Sequence, residues 1–511
     1  MYQHCTPCHH EGGGAPFPFT TYEEVKKRAR LIAHVTGTGY MPPWKAAPGV
    51  IAFEGERHLD PEDAAKLAAW AQAGSPLGDV SKVPPAPVFE SDWPLGKPDL
   101  ILEMEEDMPV PAEGPDIYRG FVVRIPDLPE GKYLKGLDYQ PQAIESAHHT
   151  LFSLDTTGIA RARSDAQPRP GFGGMSDNLS LGRIGGWAVG GRPHLYPVGV
   201  AIAIKPGTDL ILATHFHPGG KAEIERARIG IYLTDEPPTK HLVALDVPFA
   251  FGLLSNIRIP AGEAEYLIEE SFTLPADAEL ISISPHAHYI GKRMRATIAF
   301  PDGREIELIR VDDWDFAWQE QYRLAEPLAL PQGARIDMTF VYDNSAENPR
   351  NPTQPPVEVT FGPESTDEMA CMTLGLITES EAVMQDLRMG YIAWVKERID
   401  DADLSIIIGA AREQRRDRID LNGDGSITFA ELRGTIGGVW QRIQSGDPND
   451  MRRHIGPYIV RHGFRTLVLP WLAPALLMGI LLIAALVLLR RRWRRAGTEP
   501  EPPVSPAPGI S

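Results

Sequence analysis

Histidines form three groups in the middle of the sequence, within ESAHHTLF, LATHFHPGG and SPHAHYIGK. The members of these groups are His148 and His149, His215 and His217, and His286 and His288. Alternate side chains of a β-strand share a face, so a His-x-His pair can point two imidazoles at one ion. A single histidine is more often structural, but three groups together favour metal binding, and nitrogen-rich sites suit copper or zinc.

The adjacent pair His148 and His149 needs a local irregularity to act on one ion. Neighbouring side chains point to opposite faces of a regular strand. A β-bulge or a strand end can turn one of them towards the other. We therefore expect the strand to be irregular at this pair.

A second candidate site opens the chain, where MYQHCTPCHH places Cys5, Cys8 and His9 in a C-x-x-C-H motif. This spacing is typical of covalent heme c attachment, in which the thiols bind the heme and the histidine is an axial ligand of the iron. The alternatives are half of a zinc site and a thioredoxin-like redox motif. A zinc site needs a second Cys/His pair, which the nearby sequence lacks, and a thioredoxin-like motif needs a βαβ context, which is also missing. The motif therefore predicts heme c.

The second axial ligand is expected at Met41 in GYMPPWK, with His10 and His34 as alternatives. The flanking stretches TTYEEVKKRARLIAHV and DPEDAAKLAAWAQAG show helical periodicity, and the second has an N-cap and a glycine stop. Residues 1–80 are therefore predicted to form an α-helical cytochrome c domain. No export signal precedes Cys5, so we expect the natural N-terminus to lie upstream.

A third motif, DLNGDGSITFAE at residues 420–431, has the spacing of an EF-hand calcium loop. Its oxygen ligands occupy alternate positions and the last position, with a glycine at the sharp turn. The predicted calcium ligands are Asp420, Asn422, Asp424, Ser426 and Glu431. A surface turn rich in Asp, Asn and Gly is the alternative, and a bound calcium ion could be structural or regulatory.

An uncharged run, TLVLPWLAPALLMGILLIAALVLL, covers residues 466–489 and is followed by RRRWRR. About 20 apolar residues suffice for a membrane helix, and a basic flank marks the cytoplasmic side. A buried core helix is the alternative. The run predicts one C-terminal transmembrane helix, a cytoplasmic tail at 490–511, and catalytic domains outside the cytoplasm on the periplasmic side.

Composition narrows the choice of partners. The 511 residues carry a formal net charge of -18 and three cysteines. The acidic balance argues against a nucleic-acid partner, which would favour a basic face. Three cysteines exclude a disulfide framework and leave Cys371 without a partner if the first two bind heme.

Between the heme motif and the EF-hand, short β-rich runs alternate with turns that contain Gly, Pro and Asp; examples are FVVRI, GVAIAI, DLILATHF, ELISISPHAH and RIDMTFVY. Such runs are typical of antiparallel sandwiches or barrels. The length suits several domains of ~100–200 residues each. After residues 1–80 the predicted order is a Pro-rich linker (81–98), two antiparallel β domains (99–236 and 237–378), a helical EF-hand segment (379–460) and the transmembrane helix (466–489).

The order of these motifs (HH, a strand ending in H, H-x-H followed by GK, then DEM) resembles the copper type II monooxygenases. That family contains the peptidylglycine hydroxylating and dopamine β-monooxygenase enzymes. The resemblance covers about residues 99–377 and is carried by GVAIAIKPGTDLILATHFH, SISPHAHYIGKRMRAT and STDEMACMTLGL. It implies two tandem antiparallel jelly rolls, each with one copper ion facing a shared cleft.

The resemblance also implies a set of ligands and an activity. The first copper, which transfers electrons, would be held by His148, His149 and His215, and the second, which binds oxygen, by His286, His288 and Met369. Met372 is the alternative to Met369, and His217 is an extra position beside His215. The family hydroxylates a C–H bond of a small-molecule substrate with O2 and takes electrons from an external donor. We hypothesise that heme c supplies or relays those electrons.

The sequence departs from the family where the peptidylglycine enzyme grips its substrate. The corresponding positions here are Ser284, Cys371 and Thr373. A peptide carboxylate would therefore lose its main partners, and peptide amidation is not expected. The alternative function is a non-enzymatic heme and copper electron-transfer or copper-binding protein.

Overall fold

Most of the regular secondary structure in the described chain is antiparallel β-sheet. The computed structural model describes residues 1–403, apart from 12, 14, 50, 90–92 and 174–181, and isolated positions between 451 and 461. Residues Met1–Ile455 belong to one compact unit.

Two sheets with a common core contain the strands between residues 100 and 234. These strands are β1 (Leu100–Glu103), β2 (Met108–Val110), β3 (Ile117–Arg124), β4 (Tyr133–Gln140), β5 (Ala147–Asp155), β6 (Phe172–Gly173), β7 (Arg183–Ala188), β8 (His194–Leu195), β9 (Asp209–Phe216), β10 (Glu223–Glu225) and β11 (Arg228–Thr234). One sheet has the order β1-β11-β4-β8 and the other β6-β3-β9-β5-β7, while β10 pairs with β2. We call this part the first sandwich.

Two further four-stranded sheets follow between residues 241 and 378. Their strands, with one short pair, are β12 (His241–Val247), β13 (Arg258–Ile259), β14 (Tyr266–Thr273), β15 (Ala278–His286), β16 (Gly291–Ala299), β17 (Glu305–Val311), β18 (Tyr322–Leu330), β19 (Arg335–Tyr342), β20 (Val359–Thr360) and β21 (Cys371–Thr378). The sheet orders are β12-β21-β15-β18 and β14-β19-β16-β17, and β13 pairs with β20. We call this part the second sandwich.

The alternation of buried and less buried side chains explains why these residues form strands. In β19, RIDMTFVY, every second residue is buried, namely Ile336, Met338, Phe340 and Tyr342. Burying alternate apolar residues fixes the register, because a one-residue slip would turn them all to the other face. The run GVAIAI forms no strand and makes isolated bridges at Val200 and Ile202 instead.

The N-terminal segment corrects the predicted fold class, which included an α-helical cytochrome c domain. Within the described part of residues 1–80, the helices are short: α1 (Tyr22–Lys27), α2 (Ala29–Gly37) and α3 (Pro61–Gln72). Helix α3 buries none of its residues, and the local core consists of Phe19, Val25 and Ile32 with partly buried neighbours. The described part of residues 1–80 therefore forms no helical cytochrome c domain.

The stretch between α2 and α3 packs against the second sandwich. Ala46 bridges to Val311 and Phe53 to Leu324. The Trp44 ring meets the Tyr322 ring edge-on, with 5.0 Å between the ring centroids. These residues gain their burial from strands far away in the sequence, so the segment does not build a core of its own.

Two further helices lie in the described part beyond the N-terminal segment, α4 (Ile159–Asp165) and α5 (Glu381–Ile399). Helix α5 packs on the second sandwich, where the Tyr391 hydroxyl donates to the Asp246 carbonyl at 2.6 Å. The Trp394 indole donates to the Ser271 carbonyl at 2.9 Å. These bonds fix the helix against both β12 and β14.

The predicted membrane anchor is also corrected. No helix among the described residues is long and apolar enough to cross a membrane. The longest helix there, α5, has 19 residues but carries acidic and basic side chains from its first turn to its last. This finding contradicts the predicted membrane anchor and the periplasmic location that followed from it. The run at 466–489 and the EF-hand loop at 420–431 lie outside the described residues.

Candidate functional site

Five histidine rings lie next to one another where the two sandwiches meet. Within the first sandwich, the ring centroids are 4.9 Å apart for His149 and His215 and 5.3 Å apart for His148 and His215. Within the second sandwich, the distance is 5.3 Å for His286 and His288. Across the junction, His149 and His286 are 5.9 Å apart. We call these five residues the histidine cluster.

Strand pairing brings the first three histidines together. His149 on β5 lies opposite His215 on β9, and the register shifts between Ala147 and His149. The strand is therefore irregular at His148, as two adjacent histidines require if both are to face one site.

The second group forms at the end of β15. His286 lies opposite Cys371, the first residue of β21. Beyond the strand end, one carboxylate oxygen of Glu368 accepts the backbone N–H groups of His288 and Met369. Glu368 is fully buried, and the Tyr342 hydroxyl donates to the Met369 carbonyl at 2.8 Å. The backbones of His288 and Met369 are thus fixed beside each other.

Gln319 joins the two groups of histidines. Its Nε2 donates to His148 Nε2 at 2.7 Å, and its Oε1 accepts from His286 Nδ1 at 2.6 Å. The side chain is buried, and Nε2 also donates to the Phe316 carbonyl at 3.3 Å. One amide therefore connects a histidine of the first sandwich with a histidine of the second.

Burial keeps the rings of the cluster neutral. It lowers the pKa of His286 to about 4, although the hydrogen bond to Gln319 acts in the opposite direction. The pKa of His288 lies well below its ordinary value, first because of burial and then because of the neighbouring His286. The pKa values of His148 and His149 are lowered well below the ordinary value for the same two kinds of reason. A neutral imidazole has a free lone pair, which metal binding requires.

The tautomers of the second group are set by oxygen acceptors. His286 Nδ1 donates to Gln319 Oε1, and His288 Nδ1 donates to the Asp367 carbonyl at 3.2 Å. A carbonyl oxygen can only accept, so the proton sits on Nδ1 and the lone pair on Nε2. Metal-binding histidines usually show this arrangement, which fixes the ring and the free nitrogen.

Asp116 organises His215 and His217. Its carboxylate oxygens lie 2.6 Å from His217 Nδ1 and 3.2 Å from His215 Nε2. The second contact lacks the geometry of a hydrogen bond. Ser365 donates to the same carboxylate through its N–H at 3.0 Å and through its hydroxyl. Burial acts to raise the pKa of Asp116, but the histidines and Ser365 outweigh it, so the pKa lies below its usual range.

His217 differs from the other histidines. Its hydrogen bond to Asp116 raises its pKa above the ordinary value, and burial opposes this only in part. Its Nε2 lies 3.4 Å from the Tyr289 hydroxyl. His217 is therefore engaged in an ion pair and is less suited to bind a metal than His215.

Aromatic rings cover the cluster. The Phe316 ring centroid lies 4.3 Å from that of His148, and the Phe251 centroid 5.1 Å from that of His286. The Tyr118 ring stacks on His215 at 4.3 Å. The rings form an apolar surface around the imidazoles.

The side chains do not form a ready-made metal site with three charged or imidazole ligands. Within the described ranges, no group of three or more His, Cys, Asp or Glu side chains is positioned to hold one ion. His149 Nε2 and His215 Nδ1 share a hydrogen bond of 3.2 Å, so one of the two nitrogens carries a proton. A metal ion would bind both nitrogens only after that proton has moved. The first group therefore offers two adjacent imidazoles, and the second offers two imidazoles beside a thioether-bearing residue.

At the N-terminus, the C-x-x-C-H motif forms a helical turn. The N–H of His9 donates to the Cys5 carbonyl at 2.9 Å, and Cys5 and Cys8 are half-buried free thiols. His9 Nδ1 donates to the Phe17 carbonyl at 2.9 Å, and its ring stacks on Phe19 at 4.3 Å. His9 Nε2 is therefore the nitrogen left to bind an iron.

The candidates for the second axial ligand lie in different settings. Met41 follows α2, and its N–H donates to the Val35 carbonyl at 2.9 Å. His34 belongs to the last turn of α2. His10 Nδ1 donates to the Thr6 carbonyl at 2.9 Å.

One of the positions that correspond to the substrate grip of the peptidylglycine enzyme, Thr373, belongs to an internal hydrogen-bond network here. The Thr373 hydroxyl donates to Asp246 Oδ1 at 2.7 Å, and buried Arg183 pairs with the same oxygen. Ser284 lies opposite Thr373 in the β15–β21 pairing. Cys371 is fully buried, and burial raises the pKa of its thiol well above the ordinary value.

Sequence reasoning did not find Gln319, Asp116 or Glu368. Gln319 is 171 positions from His148, and Asp116 is 101 positions from His217. Nothing local marks either residue. Glu368 stands directly before Met369 in DEM, and that adjacency was an available signal.

No family model and no curated protein sequence matches the chain. Similar solved structures include PNGF-II, with 10% identity over 54% of this chain and 65% of that chain at a TM-score of 0.24. Another is a two-domain protein of unknown function from Bacteroides fragilis, with 8% identity over 51% of this chain and 94% of that chain at a TM-score of 0.14. The VP2 subviral particle of infectious bursal disease virus has 9% identity over 54% and 70%, at a TM-score of 0.15. Scores this low do not establish a common fold, so function is argued from the site.

Proposed function

We propose that the protein is a copper-dependent monooxygenase that hydroxylates a C–H bond of a small-molecule substrate with O2. The observation that carries the proposal is the arrangement of His286, His288 and Met369. Both imidazoles are neutral with Nε2 free, and Glu368 ties the backbones of His288 and Met369 together. Two imidazoles and a thioether form a donor set that suits reduced copper. A copper ion bound there would supply the binding and activation of oxygen.

His148, His149 and His215 are the residues proposed to hold a second copper ion, which would transfer electrons. Two of their nitrogens already lie 3.2 Å apart, and His148 and His149 are neutral. Asp116 lies beside His215 Nε2 and orients that ring. In the reaction, these residues would hold the ion close to His286 and His288.

Heme c is proposed as the electron donor within the chain. Cys5 and Cys8 are free thiols on one turn, and His9 donates its Nδ1 proton to a carbonyl. The proposal is that heme c is attached at this motif and passes on electrons that come from a donor outside the protein. It does not require a cytochrome c fold.

Metal and heme content of the purified full-length protein tests the proposal. We expect two copper ions per covalent heme in the wild type. The double variant His286→Ala, His288→Ala should keep the heme and one copper ion and lose hydroxylation. His241→Ala, on β12 outside the cluster, is the matched control and should keep both. Zinc in place of copper, or equal copper in the double variant and the wild type, would contradict the proposal.

A non-enzymatic electron-transfer protein is the second candidate. It is favoured by one observation: Thr373, at one of the positions used for substrate binding in the peptidylglycine enzyme, donates to Asp246, which also pairs with Arg183. Oxygen consumption separates the two functions. Reduced protein that consumes O2 without a hydroxylated product, across a panel of small C–H substrates, would support this second candidate.

A further inference from the structure

Three arginines lie close together where the N-terminal segment contacts the two sandwiches. Arg57 lies between α2 and α3, Arg192 lies between β7 and β8, and Arg323 is on β18. Burial lowers the pKa of His194 on β8 to about 4, and the positive charges of the three guanidinium groups act in the same direction. All three groups are therefore near that ring, and we call the three residues the arginine cluster.

Two arginines of the cluster have carboxylate partners. Arg323 Nε donates to Glu54 at 3.2 Å. Arg57 pairs with Glu320, and both of these side chains are buried. The charges of Arg57 and Arg323 are therefore compensated within the protein.

Arg192 is the arginine of the cluster that lacks such a partner. Its half-buried guanidinium forms no hydrogen bond or ion pair within the described part of the chain. A Cβ built at Gly55 would lie 3.9 Å from Arg192 Nη1 and would meet no closer atom of the described residues outside its chain neighbours. There is therefore open space between the Gly55 backbone and the Arg192 guanidinium.

Arg57 contributes a second unused donor to the cluster. The residue is only 6% exposed, and its Nε is buried without an acceptor among the described residues. The bonds to Glu320 and to the Pro43 carbonyl use Nη2 instead. A buried donor without an acceptor costs free energy, so an acceptor that reached Arg57 Nε would be stabilised there.

We propose that the arginine cluster binds a small monocarboxylate, which pairs with the Arg192 guanidinium and accepts from Arg57 Nε. A guanidinium offers N–H donors in a planar fork that matches the two oxygens of a carboxylate. One carboxylate neutralises the one uncompensated charge, that of Arg192, whereas a dianionic phosphate would bring a second negative charge beside Glu54 and Glu320. The inference is independent of the proposed function, because it uses no residue of the histidine cluster.

The cluster is accessible from solvent. The side chains of His194 and Glu54, which contact each other beside it, are 24% and 42% exposed. A small ligand can therefore enter without a movement of the sandwiches. Because the charges are partly exposed, salt should weaken the binding.

Calorimetric titration of the full-length protein with acetate at pH 7 and low ionic strength tests the proposal. We expect Arg192→Gln to weaken acetate binding by roughly 10-fold or more, because hydrogen bonds between charged groups are the strong ones. Arg192→Lys keeps the charge but loses the planar fork, so its affinity should lie between the two. Arg226→Gln is the matched control and should bind acetate like the wild type, since Arg226 also belongs to the first sandwich but pairs with Asp107 at 2.9 Å.

A carboxylate supplied by the protein itself gives an independent test. Gly55→Asp places a carboxylate beside Arg192, and aspartate tolerates the left-handed backbone of Gly55 (φ 64°) better than most residues do. This variant should lose acetate binding. It should also melt at a higher temperature than Gly55→Asn, which has the same shape and the same backbone but no charge.

The outcomes are distinct. Loss of acetate binding in Arg192→Gln and in Gly55→Asp, with normal binding in Arg226→Gln, would support the site. Acetate that neither binds the wild type nor raises its melting temperature would overturn the proposal, and so would binding that both variants retain. Inorganic phosphate bound more tightly than acetate would overturn the assignment to a monocarboxylate. If Arg192→Gln does not fold, Gly55→Asp and Gly55→Asn decide.

Discussion

At the residue scale, the buried carboxyl group of Glu368 holds the backbones of His288 and Met369 in place. Burial raises its pKa to about 8, so the group is mostly neutral at pH 7 and an amide is a close match. Glu368→Gln should therefore keep both backbone hydrogen bonds. Glu368→Ala leaves two buried N–H groups unpaired and should lower the free energy of unfolding by about 2–5 kcal/mol. Denaturant unfolding measures this difference, with exposed Glu269→Ala as the control. Equal losses for the alanine and glutamine variants would contradict the role of the oxygen acceptor.

A second buried carboxyl group, Asp138 on β4, predicts a pH dependence away from the cluster. Burial raises its pKa to about 7, and its Oδ2 has no partner among the described residues. An unfolded aspartate ionises near pH 4, so the unfolded state releases its proton first as the pH rises. Stability from this group is therefore full below pH ~4 and is lost as the pH rises through about 7.

Asp138→Asn should remove the loss of stability at high pH, because an amide does not titrate. At pH 8 the variant should be more stable than the wild type by on the order of 2–4 kcal/mol, and the gap should close near pH 4. Unfolding free energies measured across this range check the prediction, with exposed Asp127→Asn as the control. A constant difference at every pH would show that the substitution acts through packing instead.

The sequence identified the histidines because pairs of one residue type at strand spacing are visible locally. It could not identify Gln319, which lies 171 positions from His148, or Asp116, which lies 101 positions from His217. A single glutamine or aspartate has no pattern of its own. Its role depends on a tertiary contact that local residue patterns do not encode.

At the element scale, helix α5 is fixed by a close approach to the second sandwich. A Cβ added at Gly390 would lie 2.4 Å from Cβ and Cγ of Pro275. Glycine to alanine in a helix normally gains about 1 kcal/mol. Gly390→Ala should instead destabilise the protein by about 1–3 kcal/mol, because the rigid proline ring cannot move aside.

The sign of the stability change caused by Gly390→Ala tests whether α5 packs on Pro275. Met389→Ala, at a position that is 52% exposed, is the neighbouring control and should change stability by less than about 0.5 kcal/mol. Thermal unfolding of the two variants gives the comparison. Stabilisation by Gly390→Ala would mean that α5 does not pack on Pro275.

Strands were predictable where alternation or continuous burial is strong, as in β19 and β9. GVAIAI has the composition of a strand but makes isolated bridges only. Whether such a run enters a sheet depends on whether a neighbouring strand offers a free edge, which local propensity does not determine. The irregularity at His148 followed from a chemical requirement and not from propensity.

At the scale of the whole molecule, the N-terminal segment was mispredicted because its helices and its heme motif were read in isolation. The sequence between α2 and α3 contains apolar residues such as Trp44 and Phe53, which an independent domain of residues 1–80 would bury in its own core. The structure buries them against β18 instead, through the Phe53–Leu324 bridge and the Tyr322 ring. A core shared with distant strands cannot be seen from local periodicity.

The buried pair of Arg57 and Glu320 tests this packing, because it joins the N-terminal segment to the loop between β17 and β18. The side chains are only 7% and 8% exposed. Removing one partner of a buried ion pair leaves an uncompensated charge and costs about 3–5 kcal/mol, whereas replacing both can be nearly neutral. Arg57→Met and Glu320→Leu should therefore each destabilise strongly, and the double variant should be more stable than either single variant.

A double-mutant cycle in denaturant provides the measurement. Limited proteolysis of the same four proteins reports the packing directly, since a released N-terminal segment is cleaved faster. The single variants should be cleaved faster than the double variant. Exposed Lys66 and Asp63, paired at 2.7 Å on α3, provide the control cycle and should show a coupling below about 1 kcal/mol. Additive losses for Arg57 and Glu320, with unchanged proteolysis, would mean that the packing of the N-terminal segment does not depend on this contact.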